Sequence, residues 1–193
     1  MKIVSIDTET TGLCEDTCDI IEFGAVMDDL AHPEIAYCSL PKFHCYFIKD
    51  QYEGQPYALS MHPHIFRRIA DREEPYIYTS AMKFGNMFKK FLIKNGIEEK
   101  HDKVTINVAG KNFGIFDYQF LKRKTDMCKH VKMRHKMLDP AMLYMKIGDE
   151  SLPGLEECKR RAGLPPEVTH NALDDAMDVV KLMRIGIKKN GIS

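Results

Sequence analysis

The sequence predicts an α/β fold, in which one sheet packs against several helices. Segments rich in β-branched residues come first, helical segments follow, and one more strand-like segment lies among the helices, in the order βββααβαα(α). The 193 residues are 44% hydrophobic, which is enough for one buried core of the size usual for a single domain. We therefore expect residues 1–193 to form one domain.

Three strands are predicted in the first quarter of the chain. Residues 2–7 are rich in β-branched side chains, and residues 20–27 have the same character after a turn at Thr11-Gly12. Residues 44–48 form a third short apolar segment. This pattern indicates a β-meander at the start of the domain.

The rest of the chain is mainly helical, with one strand. Residues 104–109 alternate as a short buried strand, and the glycine-containing segment 110–114 ends it. Ser80 is a favourable N-cap residue, and Gly163 ends a helix. The last helix has apolar residues at 4-4-3-4 spacing, so one face should pack on the sheet. The predicted helices cover residues 64–70, 80–94, 115–124, 155–162 and 171–189.

Composition excludes several classes of protein. The six cysteines lack the paired spacing of a zinc site, so we expect reduced thiols. No apolar segment is long enough to cross a membrane, and no signal-peptide pattern precedes the first strand. We therefore expect a soluble, cytoplasmic protein with no membrane partner. The net charge is zero, which by itself does not indicate a nucleic-acid-binding protein.

The distribution of charge is more informative than its sum. Residues 1–30 contain eight acidic residues and one basic residue, whereas residues 121–136 contain seven basic residues and one acidic residue. The basic stretch suits contact with a phosphate backbone. A solvated helix face explains the same pattern equally well.

Two acidic residues follow the first predicted strand at the spacing that places them together. Residues at i and i+2 of a strand point to the same face, so Asp7 and Glu9 present two carboxylates side by side. Their repulsion is costly unless protons or a cation compensate, and oxygen ligands suit Mg²⁺ or Mn²⁺. The alternative is a pair of solvated acids at a strand end.

Two further segments contain candidate functional residues. Asp117 lies among aromatic residues just after the break at 110–114, where a role as a helix N-cap is the simpler alternative. His170 stands at the start of the last helix, five residues before Asp175. Acids in a first turn commonly complement the helix dipole, so Asp175 also has an ordinary explanation.

The order of the three segments along the chain matches a known sequence pattern. The pattern Asp7-x-Glu9, then Asp117, then His170-x-x-x-x-Asp175 resembles the DEDDh exonuclease superfamily, which includes proofreading exonucleases, RNase T and oligoribonuclease. The segments DTETTG and HNALDDA carry most of this resemblance, which spans nearly the whole chain. It implies an RNase H-like fold, a mixed β-sheet flanked by helices on both faces, and 3′→5′ exonuclease activity.

The resemblance also implies a role for each candidate residue. The four carboxylates would hold two divalent ions, Mg²⁺ or Mn²⁺, roughly 3.5 to 4 Å apart at the scissile phosphate. His170 would be the general base, since a histidine takes up a proton near neutral pH. Leu13 would contact the terminal base, although a leucine is just as commonly part of the core. The remaining substrate contacts implied are Thr8 and Thr10 at the 3′-hydroxyl, Ser60 and Met61 at the penultimate nucleotide, and Asn112.

The substrate class is less clearly indicated than the reaction. DTETTG is most similar to proofreading and RNase T-like members, whereas Lys111-Asn112 replaces the His-Asn pair of many relatives and has the spacing of oligoribonuclease. We expect single-stranded DNA, cut at its 3′ end to release 5′-mononucleotides, with RNA as the alternative. A non-catalytic nucleic-acid-binding or polymerase-docking module is the remote alternative. A homodimer or a polymerase complex is compatible with the family.

Overall fold

A five-stranded mixed sheet forms the centre of the computed structural model, which describes residues 1–191. The strands are β1 (Lys2–Thr10), β2 (Ile20–Asp29), β3 (Lys42–Phe47), β4 (Ile77–Thr79), β5 (Glu99–Lys100), β6 (Lys103–Ile106), β7 (Val108–Ala109) and β8 (Val131–Met133). The order in the central sheet is β4-β3-β2-β1-β7, in which β1, β2 and β3 are antiparallel and β7 is parallel to β1. A second, three-stranded sheet has the order β5-β6-β8.

Helices pack on both faces of the central sheet. Among the described residues, none of these helices combines the length and the apolar character needed to cross a bilayer. A short 3-10 helix, Tyr37–Ser39, precedes β3. The α-helices are α1 (Pro56–Met61), α2 (Pro63–Asp71), α3 (Ala81–Lys94), α4 (Asp117–Lys124), α5 (Met127–His130), α6 (Ala141–Tyr144), α7 (Leu155–Ala162) and α8 (Ala172–Lys189).

The side chains of β1 alternate between two apolar clusters, one on each face of the sheet. Val4 and Ile6 point to one face, where they join the cluster that contains the phenylalanines of α3. Ile3 points to the other face and packs against Val179 and Met183 of α8. β1 lies between β2 and β7 and packs into apolar clusters on both faces, so both its edges and both its faces are covered.

The predicted α/β fold is confirmed, but several short elements were not predicted. The structure adds β4, β5, β8 and three short helices, α1, α5 and α6. The strand predicted at 104–109 is interrupted at Asn107, whose carbonyl accepts a hydrogen bond from the N–H of Val4 at 2.8 Å. The basic stretch 121–136 is not one helix face, because it includes the end of α4, all of α5 and β8, and the solvated-helix explanation fits only its exposed helical residues Lys122, Arg123 and Lys129. Ser80 is at the N-cap of α3, but its side chain makes no capping hydrogen bond.

A buried ion pair fixes α8 to β2. Arg184 donates from Nε to Asp28 Oδ2 at 2.8 Å, and its guanidinium also donates to the carbonyls of Pro33 and Ile35. Both charged side chains are almost completely buried. A buried pair with all its hydrogen bonds made is costly to break, so this contact fixes where α8 lies along the strand.

Near the other end of α8, the helix approaches β2 so closely that only glycine fits. A Cβ atom on Gly24 would lie 2.3 Å from the backbone of Ala172 and of Leu173, the first two residues of α8. Neither of these backbone atoms can move away without displacing the helix. The position of the α8 N-terminus therefore depends on the absence of a side chain at Gly24.

We expect Gly24→Ala to lower the free energy of unfolding by about 1–3 kcal/mol, the usual cost of overpacking a filled site. Urea denaturation measures this change. Gly154→Ala is the matched control, because a Cβ there meets no atom within 4 Å. Equal effects of the two substitutions would contradict the packing argument.

Candidate active site

The end of β1 presents two carboxylates on the face of the sheet that α8 covers. Ile3 points to α8, so the alternation of the strand places Asp7 and Glu9 on the same side. Asp7 is partly exposed, whereas Glu9 is only 8% exposed. The predicted side-by-side arrangement is therefore present in the structure, at the edge of the apolar core.

Asp117 reaches β1 from the first residue of α4. Its Oδ1 atom accepts hydrogen bonds from the backbone N–H of Thr8 at 2.9 Å and from Thr8 Oγ1 at 2.7 Å. The side chain is 3% exposed. The N-cap alternative is wrong, because Phe116 occupies the N-cap and the Asp117 carboxylate binds the strand instead.

The N-terminus of α8 contributes Asp175 and His170. Asp175 is 4% exposed, and His170 is exposed with a left-handed backbone φ of 51°. Asn171 caps the helix, with its side chain accepting from the N–H of Asp174 at 3.2 Å. One ligand atom from each of Glu9, His170 and Asp175 lies within 4.8 Å of the others. The structure thus brings the histidine to the carboxylates of β1.

These groups line one cavity of about 650 Å³. The cavity also contains an amide, a lysine and two apolar side chains that the DEDDh pattern does not include. The residues that line it are Asp7, Thr8, Glu9, Lys111, Asn112, Ile115, Phe116, Asp117, His170 and Asp175.

Burial raises the pKa of every carboxylate in this cluster, and repulsion from the other carboxylates adds to it at Asp7 and Glu9. Burial, followed by the charges of Glu22 and Asp175, raises the pKa of Glu9 to about 9. Burial also raises the pKa of Asp117 to about 7 and that of Asp175 to about 6. The pKa of Asp7 is raised well above its usual value by burial and by the charges of its neighbours. The cluster therefore needs protons or cations at neutral pH.

The donor set fits hard divalent cations. Several carboxylates converge on one cavity, and oxygen ligands of this kind suit Mg²⁺ and Mn²⁺. The structure offers no thiolate to the cavity, so softer ions are not favoured by its ligands.

The predicted substrate contacts fall into two groups. Thr8 and Asn112 line the cavity, whereas Leu13 and Thr10 do not. Leu13 is 75% exposed, so the alternative that it belongs to the core is wrong. Thr10 is buried, and its hydroxyl donates to the carbonyl of Gly12 at 2.7 Å.

The last two predicted contacts lie on α1, outside the cavity lining. Ser60 donates its hydroxyl hydrogen bond to the carbonyl of Tyr57, in the same helix. Met61 ends that helix and is partly buried. Neither residue therefore lines the cavity that contains the carboxylates.

A buried glutamate behind the site was not predicted from the sequence. Glu22 of β2 is fully buried, and its carboxylate accepts from Asn171 Nδ2 at 3.1 Å and from the N–H of Ala172 at 3.2 Å. His44 Nε2 lies 2.5 Å from the same carboxylate. Glu22 thus joins β2, β3 and the first turn of α8.

A second buried histidine lies against Glu9. Nε2 of His62 is 3.4 Å from Glu9 Oε2, and His62 is 3% exposed. Burial lowers the pKa of His62, and its Nδ1 atom has no hydrogen-bond partner among the described residues. No local sequence pattern marks the pairing of His44 with Glu22 or of His62 with Glu9.

The fold and the cluster together define a class of protein. A mixed sheet with helices on both faces, and a DEDD-plus-His set at the end of its central strand, is the arrangement of a DEDDh-type nuclease with the RNase H-like fold. The family model described as exonuclease matches residues 4–183, nearly the whole chain. This protein belongs to that exonuclease family.

Solved structures with the same fold are distant in sequence. E. coli exonuclease I in complex with a dT13 oligonucleotide has a TM-score of 0.65 and 14% identity, over 99% of this chain and 42% of that chain. The zinc-bound form of the E. coli ExoI–ssDNA complex has a TM-score of 0.61 and 15% identity, over 98% and 41%. This chain thus spans about two fifths of exonuclease I.

A smaller neighbour matches along most of its length. The nuclease domain of 3′hExo, a DEDDh family member bound to rAMP, has a TM-score of 0.63 and 17% identity, over 98% of this chain and 92% of that chain. These likenesses confirm the RNase H-like fold. No curated protein sequence gave a significant match.

We expect the metal-free protein to be less stable at about pH 8 than at about pH 6. A carboxyl whose pKa is raised on folding binds more protons in the folded state than in the unfolded chain, so stability falls as the pH rises through the folded pKa. The loss begins at the ordinary carboxyl pKa and ends near the folded pKa, which is about 7 for Asp117 and about 9 for Glu9, so it includes the interval from pH 6 to pH 8.

Urea denaturation in EDTA at several pH values measures this dependence. Asp117→Asn should show a flatter curve than the wild type, since it removes one of the titrating groups. A stability that rises between these two pH values would contradict the electrostatic account.

We expect Glu22→Ala to lower both the free energy of unfolding and kcat. It removes the acceptor for Asn171 and Ala172, and leaving such buried donors without a partner costs about 1–3 kcal/mol. Glu73→Ala is the control, because the Arg68–Glu73 pair is more exposed and should contribute less than about 1 kcal/mol. An unchanged kcat in a folded Glu22→Ala protein would show that α8 does not need this contact.

Proposed function

We propose that this exonuclease removes nucleotides from the 3′ end of single-stranded DNA and releases 5′-mononucleotides. The observation that carries the proposal is the convergence of four acidic side chains and one histidine on a single cavity. Trimming of RNA 3′ ends is the second candidate, because it uses the same chemistry. We also propose that the domain spans residues 1–193 and acts in the cytoplasm.

Asp7, Glu9, Asp117 and Asp175 would hold two divalent ions, Mg²⁺ or Mn²⁺. When bound, such ions activate a water for in-line attack and stabilise charge on the scissile phosphate. The protein supplies the rest of the arrangement. Thr8 fixes Asp117 through two hydrogen bonds, so the carboxylates of β1 and α4 keep one geometry without reorganising during the reaction.

His170 is the proposed general base. It is exposed at the start of α8 and lies within reach of the oxygens of Glu9 and Asp175, where it can take a proton from the attacking water. The acidic side chains are committed to the cations and serve this purpose less well. Asn171 caps α8 and donates to Glu22, so the backbone next to His170 is held in place.

Exposed apolar side chains provide contacts for the terminal base. Ile115 is 85% exposed and lines the cavity, with Phe116 beside it. Leu13, 75% exposed, offers a second apolar surface near the end of β1. Apolar and aromatic contacts of this type bind bases with little dependence on sequence, which suits an enzyme that trims any 3′ end.

The comparisons support both candidate substrates. Exonuclease I is solved with single-stranded DNA, and the nuclease domain of 3′hExo is solved with rAMP. A time course with 5′-labelled DNA and RNA of equal sequence, in Mg²⁺, Mn²⁺ or EDTA, separates the two. Faster shortening of DNA from the 3′ end supports the proposal, and faster shortening of RNA replaces it by the second candidate.

We expect His170→Ala to lower kcat by on the order of 10² to 10⁴, the range typical of a lost general base. Asp7→Asn should reduce kcat at least as strongly, because it removes a cation ligand. His32→Ala is the control, since His32 is exposed and pairs with Glu34 away from the cavity. Full turnover in both site variants would refute these assignments.

A further inference from the structure

The basic stretch at 121–136 ends in an exposed edge strand. In β8, Val131 is buried with the core on the α3 side, so the next residue, Lys132, points to the opposite face. Lys132 pairs in register with Thr105, which is also exposed. The N–H of Arg134 donates to the carbonyl of Ile106 at 3.0 Å, which continues the strand pairing by one residue.

A groove of about 560 Å³ lies on this outer face, and we call it the β8 groove. Lys132, Arg134, His135 and Lys136 line it, and none of its lining residues is acidic. The chain has equal numbers of acidic and basic residues, so a groove whose charged side chains are all basic is a local concentration of positive charge.

The basic side chains of this groove are not neutralised by the protein itself. Within residues 1–191, Lys132, Arg134 and Lys136 form no ion pair, whereas Arg123 in the same stretch pairs with Asp16. All three unpaired side chains are exposed. Their charge is therefore available to a ligand, and a polyanion has the complementary charge.

Asp139 links the β8 groove to the catalytic cavity. Leu138 lines the groove and is followed by Asp139, whose Oδ2 accepts from the N–H of Asn112 at 3.0 Å. The same carboxylate pairs with Lys111 Nζ at 3.5 Å. Lys111 and Asn112 line the catalytic cavity, so Asp139 contacts two cavity residues and is bonded to a residue of the groove.

We propose that the β8 groove binds the phosphodiester backbone of the substrate strand, upstream of the nucleotide that is removed. This inference rests on the proposed function and adds a second contact surface for the same polymer. Lysine and arginine contacts to phosphates give affinity without reading sequence, which suits a nuclease that moves along a strand. A substrate too short to leave the catalytic cavity gains nothing from the groove.

The direct test is the binding of a fluorescent oligothymidylate of roughly 20 nucleotides, measured by anisotropy in EDTA so that no cleavage occurs. Lys132→Gln/Arg134→Gln/Lys136→Gln should weaken binding by about 10- to 100-fold at low salt. The plot of log affinity against log salt should become shallower by about 2, since each phosphate contact to a single strand contributes about 0.7.

A matched variant separates the groove from net charge. Lys83, Lys90 and Lys94 are exposed on α3, which packs on the opposite face of the sheet, and Lys83→Gln/Lys90→Gln/Lys94→Gln removes the same charge. We expect this control to bind nearly as tightly as the wild type. Equal weakening in both variants would overturn the proposal in favour of a general charge effect. Unchanged binding in the groove variant would also overturn the proposal, and the basic residues of β8 would then serve only to protect an edge strand from aggregation.

A small substrate separates this proposal from the catalytic one. The p-nitrophenyl ester of thymidine 5′-monophosphate reaches only the catalytic cavity, so the groove variant should hydrolyse it with wild-type kcat and KM. A loss of this activity would show that the substitutions damage the cavity itself. If the wild type cleaves neither this ester nor the oligothymidylate when Mg²⁺ or Mn²⁺ is supplied, the proposed function fails. The anisotropy experiment in EDTA still decides whether the groove binds the strand.

Discussion

The repulsion among four carboxylates at the end of β1 is the constraint on which the rest of the molecule depends. Three of these side chains are at most 8% exposed, and burial raises the pKa of each member of the cluster. Such a cluster opposes folding, so the two apolar cores on either side of the sheet must hold it in place. Energetic conflict of this kind is typical of functional sites, where a ligand relieves it.

Strand β2 determines where α8 lies on the sheet. Gly24 admits the backbone of the helix, Glu22 binds its first turn, and Asp28 binds Arg184 near its far end. These contacts are all on one strand, so the helix has little freedom to slide or rotate. The catalytic-type residues of α8 therefore reach β1 with their geometry already set, which lowers the reorganisation needed in the reaction.

Long periodic elements could be predicted from the sequence, and contacts between distant residues could not. The strands β1 and β2 and the helices α3, α7 and α8 are long enough to show a period, whereas β4 and β8 contain three residues each. The five DEDDh residues were found through family resemblance, and the structure brings them into one cavity. Glu22 and His44 were missed because a glutamate in an apolar strand reveals its partners only when the chain is folded.

Calorimetric titration of the metal-free protein with Mn²⁺, in two buffers of different protonation enthalpy, tests the central claim most directly. Carboxyls with raised pKa values are partly protonated near neutral pH, so a cation that binds them must displace protons. The account predicts saturable binding with proton release, which Asp7→Asn reduces. Absence of saturable binding, or binding with no release of protons, would contradict it.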